Sequence, residues 1–128
     1  MLVAGLTYTK ETTVTEQNTA QAMGSGDLPV FATPAMIALM EGTAAACVAT
    51  QLEPGQTTVG TKVDVSHVAA SPLGAAIRCE AQLEATDRRS LTFSVAAYDE
   101  AGLIGKGTHE RFIVDAEKFT AKANAKLA

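Results

Sequence analysis

Tryptophan is absent from this sequence, and phenylalanine and tyrosine together supply only 5% of it. Proteins that bind single-stranded nucleic acid stack bases on aromatic side chains, and this chain has too few for such a platform. Cations are also scarce. Lys and Arg number 10 against 14 Asp and Glu, for a net charge of −4, and they are dispersed along the chain. A nucleic-acid surface needs a basic patch or stripe, so that class of partner is excluded. Cysteine occurs only at Cys47 and Cys79, both in apolar patterns and without Cys-x-x-Cys or Cys/His spacing. The pair reads as two reduced core thiols of a cytosolic protein, with no disulfide framework and no metal site. "MLVAGLTYTKE" has neither a basic n-region nor a long apolar h-region, so no signal peptide is expected. The longest apolar run, Pro34 to Thr50, is at the short limit for a membrane span and carries Glu41 near its middle. It reads as a buried core helix, and the chain as cytoplasmic with no membrane partner.

What is present is a core. At 47% hydrophobic and 19% charged over 128 residues, the chain has the composition and length of a single domain, 1–128. Thr33-Pro34 reads as a helix start, with Thr33 as the cap and proline at the first helical position. The helix is expected to run to about Leu52, where "EPGQ" ends it. Apolar residues surround it on every side, so it should be enclosed by other structure.

Downstream the period switches to two. Val59, Val63, Val65, His67 and Ala69 are expected on one strand face, and Ile77, Cys79, Ala81 and Leu83 on that of the next. Leu91, Phe93, Val95 and Ala97 form a third, and "LIGKGTHERFIVD" a final strand with core residues Ile104, Phe112 and Val114. Turn signals at "SPLG", "TDRRS" and "DEAG" join them. "GLTYTKETTVTE" reads as a first strand, and residues 116–128 as a solvated C-terminal helix or tail. The order is strand, long helix, four strands. Tight turns imply an antiparallel sheet, and its apolar face would wrap the helix in an α+β fold. The unpaired edges and the all-round apolar helix point to a homodimer, with a dimer of dimers as the larger alternative.

Glu41 is the one charge on that helix. A lone buried carboxylate is costly unless it is paired, and unusual carboxylates mark functional sites. Its candidate partners are His67 and threonine hydroxyls such as Thr33. His67 shares the apolar parity of its strand, so a satisfied core histidine is the bland alternative to an acid/base role. Thr33 sits where a helix N-terminus could stabilise an oxyanion. Thr33 and Glu41 are eight residues apart, about 12 Å along a helix. They cannot touch directly, which suggests a site drawn from two subunits. Gly60 lies within a strand as a bulge or a point of close approach. Arg111 could simply pair with Glu110 or Asp115. His109 is left structural.

"VFATPAMIALMEGTAAA", "VGTKVDVSHVAASPLG" and "GKGTHERFIVD" resemble the fluoroacetyl-CoA thioesterase-like family of hotdog-fold acyl-CoA thioesterases, over roughly Thr7 to Asp115. The resemblance implies a homodimer with interfacial sites, hydrolysis of a short acyl-CoA thioester, and no metal or redox cofactor beyond the coenzyme A of the substrate. It places catalytic roles on Thr33, Glu41 and His67. Gly60, Arg111 and Phe31 would contact the substrate, with Arg111 on the cofactor portion. One departure matters. The loop "GSGDLPVFATP" has Phe31 as its single aromatic, so the reaction class carries over but the fluoroacetyl substrate does not. Two further readings remain open at this stage, a hotdog acyl-CoA hydratase or dehydratase and a non-catalytic acyl-CoA-binding module.

Overall fold

Pro34 occupies the first turn of the long helix, where a missing N–H costs nothing. The helix that follows organises the rest of the chain. In the computed structural model, which describes residues 2–127, the elements run β1 (Thr7–Thr13), α1 (Ala20–Met23), α2 (Thr33–Ala49), β2 (Gln56–His67), β3 (Ala76–Asp87), β4 (Ser90–Asp99), β5 (Gly102–Asp115) and α3 (Ala116–Asn124). A 3-10 turn at Ala125–Leu127 ends the described chain. All strand pairings are antiparallel, in the order β1-β3-β4-β5-β2. The sheet packs across one helix, which is the expected α+β hotdog architecture.

The burial pattern of α2 departs from the expectation of an enclosed helix. Met36, Met40, Thr43, Ala44, Cys47 and Val48 are buried. Their spacing of three and four residues draws one stripe along the helix, facing Ile77, Cys79, Ala81 and Leu83 of β3 and Leu91, Phe93, Val95 and Ala97 of β4. The back of α2 is different. Ile37, Ala45 and Ala46 are half-buried, and Ala38 and Ala49 are exposed. One sheet covers one side of a helix, and this helix is apolar on both.

Two irregularities set the faces of β2 and β5. The register of β2 on β5 shifts between Gly60 and Lys62, and a bulge flips the side-chain alternation. Thr58 and Gly60, opposite Ile113 and Arg111, therefore share a face with Val63, Val65 and His67, opposite His109, Gly107 and Gly105. Val59 lies opposite Phe112 on the other side, so the expectation that it aligns with Val63 is corrected. On β5 Ile104 and Val114 are buried as expected, and Phe112 is not. Gly105, Gly107, His109, Arg111 and Ile113 make the inward row, and Phe112 is 41% exposed. Ile104 is buried beside a second register shift, between Ala97 and Tyr98.

The inward glycines permit close approach. A Cβ at Gly105 would stand 2.5 Å from Met36 Sδ and 2.9 Å from the Ser66 carbonyl oxygen, and one at Gly107 would stand 2.6 Å from Val65 Cα. The tail is a helix with no buried residue, capped by Asp115, whose side chain accepts from the Lys118 N–H at 3.2 Å.

Gly107→Ala is expected to lower unfolding free energy by about 1–3 kcal/mol, because the new methyl meets backbone that cannot yield. Urea denaturation of the variant against the parent protein measures it.

Candidate active site

Three features bring Thr33 to prominence. It is the first residue of α2, not its cap, which corrects the sequence expectation. The cap position is Ala32, whose methyl group offers no acceptor. The Thr33 Oγ1 lies 2.8 Å from His67 Nδ1, at the end of β2. A hydroxyl paired with an imidazole, beside a helix N-terminus without a side-chain cap, has the parts of a nucleophile–base pair beside a positive dipole end.

His67 Nε2 is buried and has no hydrogen-bond partner among the described residues. Burial pushes the His67 pKa below the ordinary histidine value, against a smaller opposing contribution from a backbone hydrogen bond at Ala69. The neutral ring is therefore favoured, as a proton acceptor requires. A cavity of ≈ 300 Å³ opens over this pair, bounded by Phe31, Val30 and the 67–70 segment. Phe31 is 2% exposed and also belongs to the core, with its N–H bonded to the Ser71 carbonyl at 2.9 Å.

Glu41 is elsewhere, and its partner is not the expected one. Neither His67 nor Thr33 reaches it. Its Oε2 lies 3.8 Å from Arg111 Nη1, and its side chain is 42% exposed. Arg111 in turn pairs with neither Glu110 nor Asp115. It is 7% exposed and donates from Nε to Thr58 Oγ1 at 2.8 Å and from Nη2 to the Thr58 carbonyl at 2.9 Å. Nη1 lies 3.2 Å from His109 Nε2. Burial works against the Arg111 charge and Glu41 supports it. So placed, the guanidinium is turned away from solvent.

Gly60 completes this cluster. A Cβ there would stand 2.6 Å from Glu41 Oε2 and 3.2 Å from His109 Cε1. The glycine is a bulge residue and a point of close approach at once, and what approaches it is Glu41.

The structure thus brings Thr33 together with His67, and Glu41 together with Gly60 and Arg111. It does not join the two groups within one chain. Along β2, Gly60 and His67 are seven residues apart, or about 20 Å at a strand's rise. Two members of the second group, Thr58 and His109, were missed from sequence. One signal could have found His109. Gly105, Gly107, His109 and Arg111 alternate at i, i+2, so Arg111 and His109 share a strand face. Thr58 carries no such signal, because the bulge after it hides its parity.

The lowered His67 pKa has a pH consequence. Protonation of His67 in the native protein should have its midpoint below the ordinary 6.5. Because the unfolded state then binds the proton more readily, the contribution of His67 to stability is lost as pH falls through that region. NMR titration of the His67 ring in native protein reads the midpoint directly.

Comparison with known proteins adds the family. Residues 14–117 match the family described as FlK, fluoroacetyl-CoA-specific thioesterase. A fluoroacetyl-CoA thioesterase of Streptantibioticus cattleyicolor is 42% identical over 97 residues, which span 76% of this chain and 70% of that protein. A solved structure of the fluoroacetyl-CoA thioesterase FlK superposes with a TM-score of 0.93 at 35% identity, covering 98% of each chain. A Thermus thermophilus thioesterase superfamily member gives 0.90 at 31% identity, covering 98% of this chain and 93% of the other. With the match spanning most of its length and its fold shared with these relatives, the chain belongs to the fluoroacetyl-CoA-specific thioesterase family.

Proposed function

We propose that this protein hydrolyses small acyl-CoA thioesters at sites shared between two copies of the chain. The observation that carries this reading is the 2.8 Å contact between Thr33 and His67 at the N-terminus of α2. A thioester carbonyl set against that terminus would find N–H donors and a positive dipole end where its oxyanion forms. Neutral His67 takes a proton from the attacking oxygen, which is either the Thr33 hydroxyl or a water seated on it. The tetrahedral intermediate then expels the coenzyme A sulfur, which receives the proton back from His67. Glu41 is the second base. Where Thr33 attacks, the product is an acyl-Thr33 ester and Glu41 takes a proton from the water that hydrolyses it; where water attacks, Glu41 helps activate that one water and no second is needed. Arg111 and Gly60 shape the ground around Glu41, at the acyl end of the substrate and not at its phosphates.

A second chain supplies what one lacks. The edge of β2 is unpaired within the chain, and the back of α2 is apolar and only half covered. Antiparallel pairing of two β2 edges about a two-fold axis would bring His67 of each chain toward Gly60 and Glu41 of the other. It would also close the roughly 20 Å gap between the two groups.

The acyl group is small. The Streptantibioticus cattleyicolor enzyme and FlK are named for fluoroacetyl-CoA, and a variant of FlK has been solved in complex with acetyl-CoA. The cavity over Thr33 has room for a group of that size. Phe31, the one aromatic of its loop, is packed into the core, so no aromatic gate selects fluoroacetyl. Coenzyme A enters as part of the substrate and no other cofactor is used. The reaction belongs to the cytoplasm, where acyl-CoA is held. No helix among the described residues is long and apolar enough to cross a membrane.

A thiol-release assay over acyl-CoAs of graded length and polarity tests the activity. Glu41→Gln and Thr33→Ala are each expected to lower kcat by about 10²-fold or more while the dimer stays folded. Full activity in either variant overturns the role given to that residue. Unfolding and co-refolding equal amounts of the two variants tests the shared site. Half the dimers are then mixed, and each carries one intact site of two, so about a quarter of the parent activity should return. No recovery would place each site within a single chain.

A further inference from the structure

His109 is 1% exposed and lies at the centre of the Glu41 cluster without touching Glu41 in any recorded hydrogen bond. Its Nδ1 is 2.7 Å from the Lys62 carbonyl oxygen. A carbonyl oxygen only accepts, so Nδ1 carries the hydrogen. Its Nε2 is 3.2 Å from Arg111 Nη1. A guanidinium only donates, so Nε2 presents its lone pair. One species satisfies both contacts, the neutral imidazole protonated at Nδ1. The other tautomer would face a lone pair to the carbonyl and an N–H to the guanidinium. The ring is further held by Phe93, stacked with centroids 6.4 Å apart.

The consequence falls on Arg111. Thr58 takes hydrogens from Nε and Nη2, and His109 takes one from Nη1. Acceptors at all three nitrogens fix the plane of the guanidinium. Glu41 is left with a contact of 3.8 Å to Nη1, beyond hydrogen-bond length. An arginine free to turn beside a carboxylate closes into a bidentate pair at about 2.8 Å. A carboxylate held in such a pair is a weaker base, with its oxygens occupied.

We propose that His109 is a positioning residue that holds Arg111 short of a closed ion pair, so that the Glu41 carboxylate stays open to water or substrate. The inference rests on Glu41 acting as a base in thioester hydrolysis. It assigns His109 no contact with the reacting atoms. The histidine acts through Arg111 alone.

Two substitutions separate this role from packing. In His109→Asn the amide nitrogen can still donate to the Lys62 carbonyl, but nothing accepts from Arg111. In His109→Gln the side-chain oxygen reaches toward the Nε2 position and can accept. The expected result is a loss of kcat of about tenfold or more in His109→Asn with KM little changed, and recovery of most of that loss in His109→Gln. Asparagine as active as the parent protein overturns the proposal. So do equal losses in both variants that track the folded fraction in thermal melts. The parent protein gives a further test that needs no variant. The ¹⁵N shifts of its His109 ring at neutral pH should show Nδ1 protonated and Nε2 bare. The reverse, or a doubly protonated ring, overturns the proposal. If the parent protein releases no thiol from any acyl-CoA, the thioesterase reading fails instead, and the ring shifts still decide the tautomer.

Discussion

The buried charge that the local structure has to answer is the Arg111 guanidinium, and the half-exposed Glu41 carboxylate 3.8 Å away supports it. Arg111 is itself buried, so its own hydrogens need acceptors, and Thr58 and His109 provide them. Thr58 faces inward because β2 carries a bulge between Gly60 and Lys62. Gly60 has no side chain because the Glu41 carboxylate fills the space a Cβ would take. The bulge of β2, the bare Cα of Gly60 and the inward Thr58 and Arg111 all meet at one charge pair between a helix and a sheet.

The same arrangement leaves the chain visibly unfinished. The core stripe of α2 is sealed by β3 and β4, yet the opposite side of the helix is only half covered. Thr33 with His67, and Glu41 with Arg111, each form a coherent piece of chemistry. Eight residues of helix separate Thr33 from Glu41, and a rigid helix cannot fold back to join them. An open strand edge and a half-covered helix face are two separate observations, and the second copy of the chain proposed above would answer both.

Much of the fold was legible in the sequence because local patterns carried it. Proline and the "EPGQ" stop bounded α2 to within a few residues, and turn dipeptides separated four strands of alternating character. Legibility failed where one residue changed a period. The bulge after Gly60 turns Val59 away from Val63, and on β5 Gly105, His109 and Arg111 face inward while Phe112 is exposed, although Ile104 and Val114 are buried as expected. A period-two reading has no internal check against a single-residue slip. That is why Phe112 was read as core and His109 as an outer residue.

By itself, the sequence determined which elements form and which side chains could do chemistry. Residue type and spacing are local properties; Glu41 stands out by them alone, and the resemblance to the thioesterase family singles out Thr33 and His67 beside it. The tertiary structure decided who pairs with whom. Glu41 meets Arg111 and not His67, because strand register and a bulge, set by long-range pairing, bring positions 41, 60 and 111 together. Thr33 is freed from capping to meet His67, because Ala32 takes the cap position and the end of β2 arrives beside it. Partnership depends on contacts between residues far apart in the chain, and no periodicity in one strand or helix encodes those.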